Sequence, residues 1–285
     1  MLCQNWIALL EKLKPRHPVL DALHDWNLYD QVKIMCCDTT ASNTGRLNGA
    51  CVLLKQRLGR ELLLLACRHH IYELVLKSVF ESKIQVTNSP DIPLFKKFRD
   101  NCSNIDSTNI QIYFDFVKLH YNDCEIDQLV MFYNCELQKK IVRDDYRELI
   151  ELSIIFLGGD KEKKLKISPP GAMHKVRWMA RAIYSLKICL LQSHFKISMK
   201  EKQALRDVCL FIATVYVKQW LGCSLAVKAP YQDLWFLKTL KGYEKVDKLI
   251  SQAALSKFCQ HLWYLSEEIA ALSLFDDAVD EETKV

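Results

Sequence analysis

Apolar residues recur along this chain at two different spacings. Val32 to Cys37 is a compact apolar run that ends in Asp38-Thr39-Thr40, and Leu62 to Ala66 is a second continuous run of strand length. Between them, Asn43 to Leu58 follows a helical pattern. Strand, helix and strand joined by short links predict a parallel βαβ unit, with the first run a buried strand. Two short amphipathic helices are expected before it, around Asn5 to Leu13 and Pro18 to Trp26. After it, His70 to Ser82 reads as a helix.

A turn-rich break at Thr87 to Pro93 opens a different region. Most of Leu94 to Phe156 reads as helices and closes on Gly158-Gly159-Asp160. A charged, proline-bearing loop follows from Lys161 to Pro170, whose lysines suit a solvated loop better than phosphate contact. Further on, Val176, Met179, Ile183, Leu186 and Leu190 share one helical face, and so do Val208, Ile212 and Val215. Leu255, Phe258, Leu262, Leu265, Ile269 and Leu272 continue at spacings of three and four, which predicts a helix from Leu249 to Phe275. Core packing accounts for these stripes without a cofactor. Asp276 to Glu282 reads as a frayed, solvated acidic tail.

The expected fold is therefore mostly α with a small parallel β element. Its expected organisation is a core over 1–85 with strands near 32–37 and 61–66, a helical region over 86–248, a C-terminal helix over 249–275 and a tail over 276–285.

Composition changes this picture little. Half of the 285 residues are hydrophobic, enough for a real core, and only 8 glycines and 7 prolines interrupt the helical stretches. The net charge of +5 permits nucleic-acid contact without arguing for it. Twelve cysteines, several inside apolar segments, read as reduced core thiols rather than a secreted disulfide framework. The run Trp6 to Leu10 is too brief for a secretory signal, and the longest apolar run, Val208 to Val217, is about half a bilayer span. A soluble nuclear or cytoplasmic protein is expected, with no membrane partner and no small-molecule cofactor.

Candidate chemistry begins at Asp38. The carboxyl end of a parallel strand is where α/β sheets present ligands, and an acid there can hold a metal ion; the same residue, or Ser42, can equally be a helix cap. Thr39 to Gly45 supplies small polar groups able to orient that carboxylate. Cys67 and His70 have the spacing of half a zinc site, for which Cys36, Cys37 or His69 are the available complements. Trp178 can stack on an extruded base or anchor one helix on another.

The order of these motifs resembles that of hAT transposases. An Asp motif (Asp38 with Ser42-Asn43) precedes a Cys-x-x-His motif (Cys67-Arg68-His69-His70) that leads into a Leu-rich helix, and an Arg-Trp pair (Arg177-Trp178) follows in a helical region. The resemblance spans roughly Trp26 to Phe275. It is strongest to transposon-derived invertebrate proteins carrying DTTASNTG, CRHH and HLWYLSEE signatures, which here begin at Asp38, Cys67 and His261.

This resemblance implies a partial ribonuclease-H-like α/β core with a large helical insertion. It implies two aspartates and a glutamate around two divalent metal ions, Mg or Mn, cutting DNA by in-line attack. Asp38 would be the second acid and Glu268, or else its neighbour Glu267, the third; Asp38 and Glu268 would then be metal ligands. Arg177 and Trp178 would contact nucleic acid, and Asn43, Cys67 and His70 would be structural. The chain departs from the pattern at the first acid: Asp21, Asp25 and Asp30 sit on no credible strand, and no zinc finger motif for recognising DNA ends is evident. The expectation is a catalytically incomplete derivative, N-terminally incomplete, with possible residual DNA binding. An upstream Asp would instead make it a metal-dependent nuclease. A helical interaction module or homo-oligomer is the remaining alternative.

Overall fold

The computed structural model describes residues 18–84, 92–101, 105, 109–141, 143–159, 179–261 and 267–284. These are mostly helical, with a small two-stranded parallel sheet. The chain divides into two compact units at the Cys67/Arg68 peptide, so the helix expected to close the first region belongs to the second unit instead.

In the first unit, α1 (Pro18–Asp25) leads to β1 (Ile34–Cys37), then α2 (Ala41–Thr44), α3 (Ala50–Leu58) and β2 (Leu63–Ala66). β1 and β2 pair in parallel, Ile34 opposite Leu63 and Cys37 opposite Ala66. The strands fall inside the two apolar runs. They are less buried than a continuous apolar run suggests: Ile34 is 52% exposed and Cys36 is exposed, because side chains alternate faces and a sheet of two strands covers its faces poorly. The unit's apolar core is Leu54, Leu58 and Leu62, with Leu20, Tyr29, Val32 and Met35 packed against it. The Arg60 guanidinium, donating to the carbonyls of Tyr29 and Asp30, fastens the approach to β1, as does the Tyr29 hydroxyl on the Arg57 carbonyl at 3.1 Å.

The single helix expected over Asn43 to Leu58 is two. Gly45 and Gly49 interrupt it, and the backbone folds so tightly there that a Cβ on Gly49 would lie 2.5 Å from both the nitrogen and the oxygen of Gly45. Gly59, with φ of 64°, ends α3 in the left-handed conformation open to glycine.

The second unit starts with α4 (Arg68–Lys83), whose Ile71, Tyr72, Val75, Leu76, Val79 and Phe80 are all fully buried. It continues through α5 (Pro93–Asn101), α6 (Phe114–Lys118), α7 (Asp123–Gln138) and α8 (Asp144–Phe156), then α9 (Ala180–Leu190) and α10 (Met199–Phe211). A π turn over Ile212–Tyr216 joins α10 directly to α11 (Val217–Leu221). Next come α12 (Ala229–Gly242), α13 (Lys248–Cys259), the short α14 (Glu267–Ala270) with a 3-10 turn over Ala271–Phe275, and α15 (Glu281–Lys284).

α4 and α13 form the centre of this unit. Small residues bring them close: Ala254 and Ser251 are buried, and the Ser78 hydroxyl donates to the Ala253 carbonyl at 3.2 Å. α7 and α10 start with capping boxes, Asn122 with Glu125 and Ser198 with Glu201, which satisfy backbone donors left over at a helix start. α9 is buried almost all round rather than on one stripe, as a helix surrounded by others must be.

Two further expectations are corrected. The helix over 249–275 is not continuous: α13 tightens to a close at Cys259, with the His261 N–H on the Phe258 carbonyl at 2.9 Å, and α14 begins separately at Glu267. The acidic end is not simply a solvated tail. Asp276 and Val279 are buried, Asp276 Oδ1 accepts the Ala278 N–H at 3.0 Å, and the described chain ends in α15.

Candidate functional site

The Asp38 loop leaves the carboxyl end of β1. Asp38 Oδ1 accepts three hydrogen bonds, from the Thr40 N–H at 3.0 Å, the Thr40 hydroxyl at 2.5 Å and Asn43 Nδ2 at 2.7 Å. The Thr40 hydroxyl also lies 3.0 Å from Ser42 Oγ. Asp38 thus folds the loop over itself just ahead of α2, and Asn43 holds the carboxylate from inside that helix. This is the geometry of an Asx turn, in which a carboxylate replaces a backbone acceptor. An oxygen already occupied by three donors is poorly placed to hold a divalent cation as well. Among the described residues, no group of three or more His, Cys, Asp or Glu side chains is arranged to hold a metal ion. The described residues thus present no assembled metal centre, and no catalytic step through one follows from them.

Asp21 and Asp25 lie in α1 and Asp30 in the turn after it, so none of the three is on a strand. Cys67 follows β2, and its N–H extends the ladder by donating to the Cys37 carbonyl at 2.7 Å. His70 lies in the first turn of α4, and burial, then Lys257 and His70, hold His261 below the usual imidazole range. Glu267 and Glu268 open α14. Arg177 and Trp178, together with the lysine-bearing loop from Lys161 to Pro170, lie outside the described residues.

A thiol pair missed by the sequence reading lies beside the same loop. Cys37 Sγ and Cys51 Sγ are 3.4 Å apart, joining the end of β1 to the start of α3. Burial and the hydrogen bond to Cys51 push the Cys37 thiol up to about 12. Cys36, exposed as a residue, is also raised, by the partial covering of its thiol and then by Cys67. These are protonated, weakly nucleophilic thiols.

The second unit holds two buried polar clusters. In the first, Asp233 of α12 has no solvent exposure and its Oδ1 accepts from Arg68 Nε at 2.7 Å and from the Tyr72 hydroxyl at 2.7 Å. Burial pulls the Arg68 guanidinium down, but Tyr72 and Asp233 outweigh it and hold the charge in place. In the second, Glu73 of α4 accepts on Oε1 from the Tyr216 hydroxyl and from the Met179 N–H, both at 2.7 Å. Burial raises the Glu73 carboxyl despite those two bonds and the nearby Arg181, whose own charge burial disfavours. Met179 takes a positive φ of 62° immediately before α9, a conformation uncommon outside glycine.

His69 stacks on Trp220 with centroids 4.1 Å apart and planes 11° from parallel. Burial, then the adjacent Arg68, lowers His69, so the ring sits neutral on its partner. The sequence signal for these sites was a Glu and an Asp on otherwise apolar helical stretches, at Glu73 between Tyr72 and Leu74 and at Asp233 beside Leu234.

The described part of the chain has no helix long and apolar enough to cross a membrane. Compared with protein-family models, with curated proteins and with solved structures, the chain shows no match.

Proposed function

We propose that the chain is a hAT-like, transposase-derived protein that keeps the strand–Asp38–helix–strand frame as a structural element, lacks strand-cleaving activity and retains nucleic-acid binding. The observation carrying this reading is the state of Asp38. It stands at the carboxyl end of a parallel strand, in the order of motifs that suggests the ancestry, yet its Oδ1 is committed to Thr40 and Asn43. The helical placement of Asp21 and Asp25 and the turn position of Asp30 support the reading that none of these three serves as the first acid. Arg177 and Trp178 would supply contact to nucleic acid.

The test is a nicking assay on supercoiled plasmid with Mg or Mn, comparing the chain with Asp38→Ala. Both should leave the plasmid intact. Nicking by the unaltered chain that disappears in Asp38→Ala would replace this reading with that of a metal-dependent nuclease. Arg177→Ala and Trp178→Ala should weaken binding to labelled DNA while leaving the helical circular dichroism unchanged.

A further inference from the structure

α12 has two chemically opposite faces. Asp233, Phe236 and Leu240 are buried and turn the helix towards its own unit. At about 100° per residue, Tyr231, Leu234, Trp235, Lys238 and Lys241 fall within an arc of about 120° on the other side. Leu234 and Trp235 are each 48% exposed, and Lys238 and Lys241 are exposed. The arc contains no acidic residue. Along the chain the flanking acids are Asp233, buried against Arg68, and Glu244, beyond the end of the helix and 3.9 Å from Lys248.

The outer face is also organised. The Tyr231 and Trp235 rings meet edge to face with centroids 6.4 Å apart, and Lys238 Nζ lies 5.5 Å from the Trp235 centroid. A cation is therefore held beside a half-exposed indole, with further exposed lysines at Lys241 and Lys245 along the chain.

Aromatic faces alternating with cations match a single-stranded polynucleotide, whose bases stack on rings while its phosphates seek positive charge. A bilayer surface is a poorer fit, because an interfacial helix needs a broad apolar face and this arc offers only Leu234 and the aromatic pair. A duplex keeps its bases stacked on one another and offers Trp235 nothing to pair with.

We infer that the outer face of α12 is a binding surface for single-stranded nucleic acid, with Trp235 as the stacking platform and Lys238 and Lys241 as phosphate contacts. The inference shares only its class of ligand with the proposed function and rests on different residues from Arg177 and Trp178.

The experiment is fluorescence anisotropy of a labelled oligo-dT of about 20 nucleotides, against a duplex of the same length and against anionic phosphatidylserine vesicles. The chain should bind the single strand more tightly than the duplex, and more weakly as salt rises. Trp235→Ala should weaken that binding by about tenfold, and Trp235→Phe much less. Lys238→Ala with Lys241→Ala should weaken binding and flatten its salt dependence. Thermal melting of each variant confirms folding, since these side chains face outward. Unchanged binding in Trp235→Ala and the lysine variant, with binding lost in Arg177→Ala and Trp178→Ala, would overturn the inference and leave the proposed function standing. Binding to vesicles but not to oligo-dT, or no binding to oligo-dT at low salt, would also overturn it. The nicking result bears on neither outcome.

Discussion

The Tyr216 hydroxyl donates to Glu73 Oε1 at 2.7 Å, and this bond ties the π turn to the centre of α4. The same oxygen accepts the Met179 N–H, so one buried carboxylate fixes three elements: α4, the entry to α9 and the helix that carries Tyr216. Removing it leaves two buried donors without an acceptor. Glu73→Ala should cost about 2–6 kcal/mol, given about 1–3 kcal/mol for each stranded donor. Glu73→Gln keeps an oxygen acceptor and should cost far less, as urea unfolding of the two variants would reveal.

The titrations of Glu73 and His69 predict opposite pH trends. Glu73 is raised by burial, so the folded state keeps a proton that the unfolded chain has released; this contribution is present at low pH and is lost as pH rises above the usual glutamate range. His69 is lowered by burial, so its contribution is present near neutrality and is lost as pH falls below the usual imidazole range. Unfolding free energy measured from pH 4 to 8 should lose the first slope in Glu73→Gln and the second in His69→Phe. Parallel pH profiles for these variants and the parent chain would contradict the assignment.

Asp233, Arg68 and Tyr72 form a pair of charges and a hydroxyl away from solvent. Asp233→Ala leaves the guanidinium buried without its carboxylate, and should destabilise the second unit by about 3–5 kcal/mol. Changing both ends, Arg68→Met with Asp233→Leu, should recover most of that loss because the uncompensated charge is gone. Calorimetric melting of the single and double variants is the comparison to make.

The Cys37 thiol, pushed up to about 12, should be slow to alkylate. With limiting iodoacetamide at pH 8, mass spectrometry should find the exposed Cys124 and Cys135 modified first, and Cys37 about tenfold slower or more. Early labelling at Cys37 would mean that the pair with Cys51 opens readily in solution.

Gly49→Ala tests the loop. Its Cβ would meet the Gly45 backbone at 2.5 Å, so the turn between α2 and α3 must move. A fall in melting temperature of the first unit is expected, with the second unit unaffected.

Much of the first unit was readable in the sequence because its signals are local. A short apolar run bounded by turn residues can be recognised without knowing its neighbours, and both strands lie within the runs that suggested them. Their exposure was not readable, since it depends on how many strands form the sheet. The break between α2 and α3 was missed because it comes from the close approach of two glycines, which apolar spacing does not register. Asp276 and Val279 were misread because acidic composition suggests solvent, whereas burial is decided by the surrounding fold. At the Asp38 loop, the sequence offered the small polar groups of Thr39 to Gly45 as a set to orient the carboxylate, and within that set Thr40 and Asn43 bond it. Glu73 and Asp233 escaped notice because partners more than a hundred residues away decide whether an isolated acid is surface decoration or a buried acceptor.

The π turn has a consequence for how this helix tolerates change. A turn over Ile212–Tyr216 holds about one residue more than an α turn, and the Tyr133 hydroxyl accommodates the distortion by donating to the Ala213 carbonyl at 2.6 Å. Excising a single residue there would restore ordinary winding and leave the downstream side chains close to their present faces, whereas the same excision from a regular stretch of α11 or α10 would swing them through about 100°. Only in that second case would Trp220 leave the face of His69. The π turn is thus the place along this helix where the loss of one residue would least alter which side chains the following helix offers to the core.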